Sequence, residues 1–318
     1  MQIPVIDIAP FASSDPADRM RVARAWDEAF STIGFATIAG HGISAALQAE
    51  IYNVTRAFFD RPLDEKMALH GPPGLGYEAF QAAKLGQSKG GGAAPADLVE
   101  ALMIQGPEWD RRGQMPPGSP ANLWPRNPAR FRQTVGRYVA EAFTLGQTLM
   151  RISALALGLE EGFFGPYYDR MMHNLRLAWY PNQTEPPLPG QFRNGPHTDF
   201  TGFTILRQDS APGGLQVLSP DGEWVDVPPI ADTLVINAGD LLQRWTNDRW
   251  RSNLHRVVNP DRALTGSAAR LSIVMFTGPN ADAEVECLPS CTGPGNPPRY
   301  EPVAVLDYLM RKIAETFA

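Results

Sequence analysis

Residues 202–227 of this 318-residue chain read GFTILRQDSAPGGLQVLSPDGEWVDV. Three short runs, Gly202 to Leu206, Leu215 to Leu218 and Trp224 to Val227, have the length and composition of β-strands. Turn-forming residues separate them, at Pro212-Gly213-Gly214 and at Pro220-Asp221-Gly222. Hardly any helical periodicity lies between the runs, so the stretch predicts antiparallel strands rather than the alternating strands and helices of a parallel sheet.

The same pattern continues on both sides of this stretch, over residues 174–286. Four further runs predict strands, and they are Leu175 to Tyr180, Thr233 to Asn237, Leu254 to Val258 and Leu271 to Thr277. Many short strands punctuated by turns indicate a closed or double-layered antiparallel fold. We therefore expect a mainly β protein whose core, 174–286, is a double-stranded β-helix or jelly-roll barrel.

Helical patterns flank this core. Asp15-Pro16 supplies a cap and first-turn proline for a helix to about Ile33, and a second helix is predicted over Ser44 to Phe59. A long scaffold helix is predicted over 127–157, and a carboxyl-terminal helix over 303–317. The amino-terminal region, 1–125, also contains a glycine-rich stretch, 71–95, that predicts a lid loop. Since no repeat or long polar linker is visible, we expect 1–318 to form a single domain.

Composition excludes several functional classes. The formal net charge is −6, and Lys and Arg are scattered, so nucleic acid is not an expected partner. No apolar run approaches the roughly 18 residues of a membrane span. Asp7 interrupts the segment where a secretory signal would be apolar, and Cys287 and Cys291 lack nearby histidines, so they predict loop thiols. A cytoplasmic location is the expectation, and the oligomeric state is left open.

The residues that carry chemistry are centred on His197-Thr198-Asp199. Residues two apart in a strand project to the same side, so an imidazole and a carboxylate converge there. His255, on another predicted strand, offers a third ligand. Two histidines and one carboxylate form a facial triad that suits non-haem Fe(II), because the opposite positions stay open for a chelating cosubstrate and O2. Catalytic zinc with the same ligand set is the alternative.

The surrounding motifs resemble the isopenicillin N synthase-like branch of the 2-oxoglutarate and Fe(II)-dependent oxygenases over nearly the whole chain. The motifs are Ile3-Pro4-Val5-Ile6-Asp7, Gly34-Phe35, Gly40-His41-Gly42-Ile43, Asn122-Leu123-Trp124-Pro125, Tyr180-Pro181, Pro196 to Thr201, Gly214 to Val217, Ile236 to Asp240, Thr246-Asn247, His255-Arg256-Val257 and Arg270-Leu271-Ser272. The resemblance implies oxidation of a C–H bond in a small organic molecule, by hydroxylation, desaturation or cyclisation. Succinate and CO2 would be released from 2-oxoglutarate.

Arg270 and Ser272 lie on one face of a predicted strand, so a guanidinium fork and a hydroxyl can converge on one anion. By resemblance, this pair grips the distal carboxylate of 2-oxoglutarate, and Tyr180 contacts the cosubstrate near its chelating end. The chain departs from the common family pattern in two ways. Ala178 replaces a frequent asparagine, and the longer spacing from His255 to Arg270 suggests an extended turn at 261–268.

Substrate contacts are less well defined by the sequence. Phe200 and Phe276 are candidates for an apolar pocket wall, and Tyr77 and Phe80 for a lid. Two other functions stay open: an Fe(II) oxidase of the same fold that needs no 2-oxoglutarate, and a non-catalytic barrel that binds small molecules. No motif names the substrate, because function resides in the site and not in the fold.

Overall fold

The computed structural model describes residues 2–82, 95–106, 121–183, 185–212, 214–261 and 268–317. Seven α-helices lie in these segments: α1 (Pro16–Thr32), α2 (Ala45–Phe59), α3 (Leu63–Met67), α4 (Phe131–Ala156), α5 (Gly165–Tyr168), α6 (Asp240–Trp245) and α7 (Val305–Phe317). None of the helices described there has both the length and the apolar character needed to cross a bilayer.

Fourteen strands lie in the same segments. They are β1 (Val5–Asp7), β2 (Phe35–Ala39), β3 (Gly76–Glu78), β4 (Glu100–Gln105), β5 (Met172–Tyr180), β6 (Asn194–His197), β7 (Phe203–Gln208), β8 (Leu215–Leu218), β9 (Trp224–Asp226), β10 (Leu234–Ala238), β11 (His255–Val257), β12 (Arg270–Gly278), β13 (Glu284–Val285) and β14 (Val303–Ala304). Every strand predicted within 174–286 is present.

Two sheets form the core. The larger has the order β1-β2-β10-β7-β12-β5-β4-β3, and the smaller has the order β6-β11-β8-β9. Apolar side chains from both sheets pack together, including Phe35 and Val235 from the larger sheet and Leu215 and Val217 from the smaller. The other face of the larger sheet packs on the helices through the main hydrophobic core. The functional residues described below lie between the two sheets.

The helices follow the sequence signals with local differences. Asp15 caps α1 by accepting a hydrogen bond from the Ala17 amide, and Ser44 caps α2 in the same way through Leu47. The scaffold helix α4 begins at Phe131, later than the predicted 127, because the Pro128 carbonyl accepts the Phe131 amide in a turn that precedes the helix.

The predicted lid loop, 71–95, is a loop only in part. Residues 76–78 form β3, which pairs with β4 at the edge of the larger sheet. Gly76 has a φ of +74°, and a Cβ there would lie 2.3 Å from the Leu69 carbonyl oxygen, so glycine is required at this turn. Residues 83–94, which include the Gly90 segment, lie outside the described part of the chain. The same holds for 262–267 of the predicted turn before Arg270.

Candidate metal and cosubstrate site

Strand register brings the three predicted metal ligands together. His197 is the last residue of β6 and His255 the first of β11, and the two are direct partners in the antiparallel ladder. Their imidazole ring centroids are 4.2 Å apart. Asp199 follows β6 by two residues, and its Oδ1 lies 3.8 Å from Nε2 of each histidine. One ligand atom from each residue falls within 4.8 Å of the others.

Hydrogen bonds orient all three side chains through the atoms that point away from the converging ligand atoms. Nδ1 of His197 lies 2.8 Å from the Gly195 carbonyl, and Nδ1 of His255 lies 3.1 Å from the Asn253 carbonyl. Since each carbonyl can only accept, the proton is placed on Nδ1 and the lone pair on Nε2. Both Nε2 lone pairs therefore face Asp199.

Asp199 is held in the same manner. Its Oδ2 accepts hydrogen bonds from the Thr204 hydroxyl and from the Asn237 amide, the latter at 2.7 Å. This leaves Oδ1 toward the two histidines. The sequence did not single out Thr204 or give Asn237 a role, although Asn237 lies in a quoted family motif. Both reach Asp199 because β7 and β10 are neighbours, with Asn237 opposite Thr204.

The electrostatics of this group suit a divalent cation. Burial, followed by the charge of His255, lowers the pKa of His197 to about 4, so the ring is neutral at pH 7. Burial acts to raise the pKa of Asp199, but His255, His197 and the two hydrogen-bond donors outweigh it and lower that pKa. The neutral His197 imidazole and the ionised Asp199 carboxylate thus both offer lone pairs to a cation. The ligand set fits the Fe(II) facial triad, with two imidazoles and one carboxylate.

The predicted cosubstrate residues lie together on β12 and β5, which are adjacent in the larger sheet. Arg270 is the direct partner of Tyr180, and Ser272 is the partner of Ala178, in the β12–β5 ladder. All are buried, and Arg270 is only 1% exposed. Burial lowers the pKa of the Arg270 guanidinium and raises that of the Tyr180 phenol. Arg270 and Ser272 share one face of β12, as predicted.

Internal groups hold the Arg270 guanidinium. It donates to Gln208 Oε1 at 2.6 Å and to the Asp209 carbonyl at 3.2 Å, and Asp209 Oδ1 lies 3.8 Å away. Gln208 is a positioning residue that the sequence did not indicate. It is the partner of Ser272 across β7 and β12, so strand register alone places it beside Arg270 and Ser272, the predicted anion-binding pair.

A second arginine, Arg193, is fully buried beside Tyr180, with its guanidinium carbon 5.9 Å from the ring centroid. It donates to the carbonyls of Pro212 and Ala268. Burial and the charge of Arg270 lower its pKa to about 10. Arg193 thereby ties together the two segments that flank the anion-binding pair. A buried arginine within a polar loop has no periodic signal, so no pattern in the sequence indicated it.

The predicted aromatic wall is only partly assembled here. Phe276 shares the inward face of β12 with Arg270 and Ser272, since the three alternate along the strand. Phe200 lies against α7, where Lys312 Nζ is 5.4 Å from its ring centroid. Phe80 is 42% exposed. The structure brings Phe276, but not Phe80, to the face that carries the cosubstrate residues.

Tyr77 lies on the opposite face of the larger sheet. Its partner across β3 and β4 is Leu102, which belongs to the core packed on the helices. The Tyr77 ring contacts Phe58 of α2, and its hydroxyl donates to the buried Glu100 carboxylate. The structure therefore does not bring Tyr77 to the triad. The neighbouring residue Glu78 projects to the inward face instead.

Comparison with known proteins gives the family. A family model described as the 2OG-Fe(II) oxygenase superfamily matches residues 168–279. A second, described as the non-haem dioxygenase in morphine synthesis N-terminal region, matches residues 3–127. A 2-oxoglutarate-Fe(II) type oxidoreductase, hxnY of Emericella nidulans, is 35% identical, with 96% of this chain and 87% of that protein covered. The chain belongs to the 2-oxoglutarate–Fe(II) oxygenase superfamily.

Other members of this superfamily agree with the assignment. Validamycin A dioxygenase of Streptomyces hygroscopicus subsp. limoneus is 32% identical, with 98% of this chain and 85% of that protein covered. The crystal structure of a full-length Neurospora crassa protein in complex with alpha-KG and thymine has a TM-score of 0.85 at 31% identity, covering 99% of this chain and 97% of that one. The jelly-roll fold expected from the sequence is that of this family, whose members use Fe(II) and 2-oxoglutarate.

These relatives also decide between the functions left open by the sequence. Two are named as an oxidoreductase and a dioxygenase, and the Neurospora crassa protein was solved with 2-oxoglutarate bound. The chain is a 2-oxoglutarate-dependent Fe(II) dioxygenase that acts on small molecules. The non-catalytic barrel and the oxidase that needs no 2-oxoglutarate are accordingly the weaker interpretations.

Proposed function

We propose that His197 Nε2, Asp199 Oδ1 and His255 Nε2 hold the Fe(II) ion of this dioxygenase. The observation that carries the proposal is the convergence of these three atoms within 4.8 Å, with the other polar atom of each side chain engaged elsewhere. Such support from behind fixes ring orientation and tautomer before a metal binds. The bound metal and its cosubstrate would supply O2 activation, coupled to release of succinate and CO2.

We further propose that Arg270 and Ser272 bind the distal carboxylate of 2-oxoglutarate. A planar guanidinium fork matches a carboxylate, and the buried position of Arg270 strengthens that pairing because water does not screen it. An incoming carboxylate would compete with Gln208 and Asp209 for the guanidinium. Tyr180, directly opposite Arg270, closes one side of this pocket and excludes water from it.

The substrate proposed is a small molecule with several hydrogen-bonding groups. Validamycin A and thymine, named for two relatives, are both of this kind. Polar side chains other than the cosubstrate residues also lie on the inward face of the larger sheet. They support a polar substrate, since an apolar substrate would leave their hydrogen-bonding groups unpaired. The cytoplasmic location, and the absence of nucleic acid as a partner, stay predictions from the sequence.

The sheet arrangement supports a single domain over 1–318. Strands β1 to β4 come from the amino-terminal region, yet they lie at the two ends of the sheet whose centre is formed by β10, β7, β12 and β5. The amino-terminal region therefore completes the same sheet as the jelly-roll core. Neither part keeps its ladder partners without the other.

The test is turnover. Purified protein loaded with Fe(II) should release succinate from 2-oxoglutarate under O2, and a suitable small molecule should stimulate that release. His197→Ala should abolish it, whereas His41→Gln, a histidine change away from the triad, should not. Full succinate release in His197→Ala would rule out its role as a metal ligand, and O2 consumption that needs no 2-oxoglutarate would rule out the cosubstrate-binding role of Arg270 and Ser272.

A further inference from the structure

β5 and β12, two adjacent strands in the interior of the larger sheet, carry a partly accessible patch on their inward face. Both strands are paired on both sides, β5 with β4 and β12, and β12 with β5 and β7. Their outward residues are fully buried, and these are Leu175, Leu177, Ile273 and Met275. Of their inward residues, Arg270, Ser272, Ala178 and Tyr180 are buried, whereas four stay partly exposed, and these are Asn174, Arg176, Val274 and Phe276. Since neighbouring strands close both edges, this exposure opens onto the inward face.

This accessible patch adjoins the proposed metal ligands. Phe276 is the partner of Thr204 on β7, and Thr204 donates to Asp199. On the other side, Phe276 is the partner of Asn174 on β5. A single row across the sheet thus leads from the metal carboxylate to Asn174. The cosubstrate residues Arg270 and Ser272 lie further along the same face of β12.

Arg176 presents an unpaired donor on this face. Its Nη1 forms an ion pair with Glu78 Oε2 at 2.8 Å, and the two side chains are 13% and 18% exposed. Its Nη2 is shielded from solvent and has no hydrogen-bond partner within the described part of the chain. A buried guanidinium nitrogen without a partner is costly, and on this inward face a ligand atom that accepts from it would relieve that cost.

Asn174 presents an unpaired acceptor two residues away. Its Oδ1 is likewise shielded from solvent and lacks a partner among the described residues. Residues two apart in a strand lie roughly 6.5–7 Å apart and share a face. A donor and an acceptor are therefore available next to each other, beside the flat ring of Phe276.

We propose that Arg176 and Asn174 recognise the edge of a planar cyclic amide, whose C=O accepts from Arg176 Nη2 and whose N–H donates to Asn174 Oδ1, while Phe276 contacts the ring face. This substrate class rests on the function proposed above. Glu78 neutralises Arg176, so a neutral carbonyl is favoured over a carboxylate. An acyclic secondary amide is trans and points its C=O and N–H in opposite directions, whereas a ring holds them side by side.

Three matched probes test recognition of the amide edge directly. 2-Pyridone has adjacent C=O and N–H groups, N-methyl-2-pyridone lacks the N–H, and benzoate replaces the amide by a carboxylate. Each is titrated anaerobically into the protein loaded with Fe(II) and 2-oxoglutarate, and the change in the visible charge-transfer band gives its Kd. 2-Pyridone should bind at least about tenfold more tightly than either other probe.

Three variants distinguish an effect on ligand recognition from an effect on the protein structure. Arg176→Gln should weaken 2-pyridone and N-methyl-2-pyridone alike, by about tenfold. Asn174→Leu should abolish the preference for 2-pyridone over its N-methyl form, which a merely structural role would not do. Arg207→Gln is the control, because Arg207 lies on the same sheet but alternates with inward Leu206 and Gln208, and so projects to the other face.

The outcomes are distinct. Preference for 2-pyridone that persists in Asn174→Leu, unchanged Kd values in Arg176→Gln, or tighter binding of benzoate would overturn the inference while the proposed function stands. The inference is also overturned, and the proposed function stands, if 2-oxoglutarate produces the band but no cyclic amide changes it. Failure of 2-oxoglutarate to produce the band in the wild type would overturn both.

Discussion

The two carboxylate oxygens of Asp199 have different partners. Oδ2 accepts from Thr204 and Asn237, and Oδ1 faces the two histidines. Because Oδ2 is engaged, the carboxylate cannot rotate to present either oxygen at random. A metal ion at this position would then meet a single, fixed oxygen.

Loss of the Asn237 amide should therefore weaken metal binding. Asn237→Ala removes one donor to Asp199, and loss of such supporting groups lowers metal affinity by about 10–100-fold. Anaerobic titration with Fe(II) measures the effect. Asn280→Ala, another buried asparagine but one bonded to Pro166 and Asp169, should leave the Fe(II) affinity unchanged. Equal affinities in wild type and Asn237→Ala would contradict the role.

His41 should make stability depend on pH. Burial lowers its pKa from the ordinary 6.5, despite the opposing effect of Asp232, and its Nδ1 accepts the Ile43 amide. The folded protein therefore binds this proton less tightly than the unfolded chain does. Stability is then full above pH 6.5 and falls as the pH drops below it.

The measurement is Tm as a function of pH in wild type and His41→Gln. The variant should lose stability less steeply than the wild type as the pH falls below 6.5, because glutamine does not titrate. Parallel curves for the two proteins would contradict this assignment.

Among single residues, the triad could be predicted because its two-residue spacing and a strand partner are visible in the sequence. Arg270 and Ser272 followed from the same alternation and from the resemblance. Arg193, Gln208 and Thr204 could not, because each acts through register with a strand or contact with a loop distant in sequence. Arg176 was visible only as a charge between Leu175 and Leu177, an alternation that could have marked it as inward-facing.

At the scale of elements, α3 is joined to the larger sheet by a buried ion pair. Lys66 Nζ of α3 lies 2.7 Å from Glu100 of β4 and also donates to the Phe59 carbonyl. Tyr77 donates to the same carboxylate. This cluster accounts for the position of Tyr77, which packs β3 against the helices and does not reach the inward face of the sheet.

Removing one partner of the Lys66–Glu100 ion pair should destabilise the folded protein. Lys66→Met leaves Glu100 buried without its cation and should lower the free energy of unfolding by about 3–5 kcal/mol. The double variant Lys66→Met/Glu100→Gln should recover much of that loss, since no unpaired charge remains. Urea denaturation measures both. A loss below about 1 kcal/mol in Lys66→Met, the size of a surface pair, would contradict the buried pair.

Two of the strands that the sequence analysis did not predict, β6 and β3, are edge strands, and a third, β4, lies between β5 and β3. β6 contains Gly195 and Pro196, which disfavour a strand, but it lies at the edge of the smaller sheet, where proline is tolerated. β3 begins with Gly76 at the edge of the larger sheet. Edge strands form because a neighbour supplies the ladder, and that neighbour is not visible in the local sequence.

The bounds of α7 were predicted more closely than the face that this helix buries. The spacing of apolar residues in 303–317 predicts a buried face of Leu306, Leu309, Ile313 and Phe317. Leu309 does pack against the main core, but the most buried side chains of α7 among those described are Val305 and Tyr308. Tyr308 faces inward, where its hydroxyl donates to Asp240 of α6 at 3.3 Å. This polar partner lies on another element, so the apolar spacing of the helix could not indicate it.

At the scale of the whole molecule, both halves of the chain complete one sheet. Because β2 pairs with β10, and β4 pairs with β5, unfolding of either half exposes the edge of the other. We expect one cooperative transition in urea, with coincident curves from far-ultraviolet circular dichroism and tryptophan fluorescence. Two separated transitions would contradict a single domain.

The most direct test of the site is anaerobic titration of the Fe(II)-loaded protein with 2-oxoglutarate, followed by the visible metal-to-ligand charge-transfer band that chelation produces. A saturable band is expected in the wild type and in Arg207→Ala. It should weaken at least about tenfold in apparent affinity in Arg270→Ala, and it should be absent in Asp199→Ala. No band in iron-loaded wild type, or equal affinity in Arg270→Ala, would contradict the proposed metal and cosubstrate site.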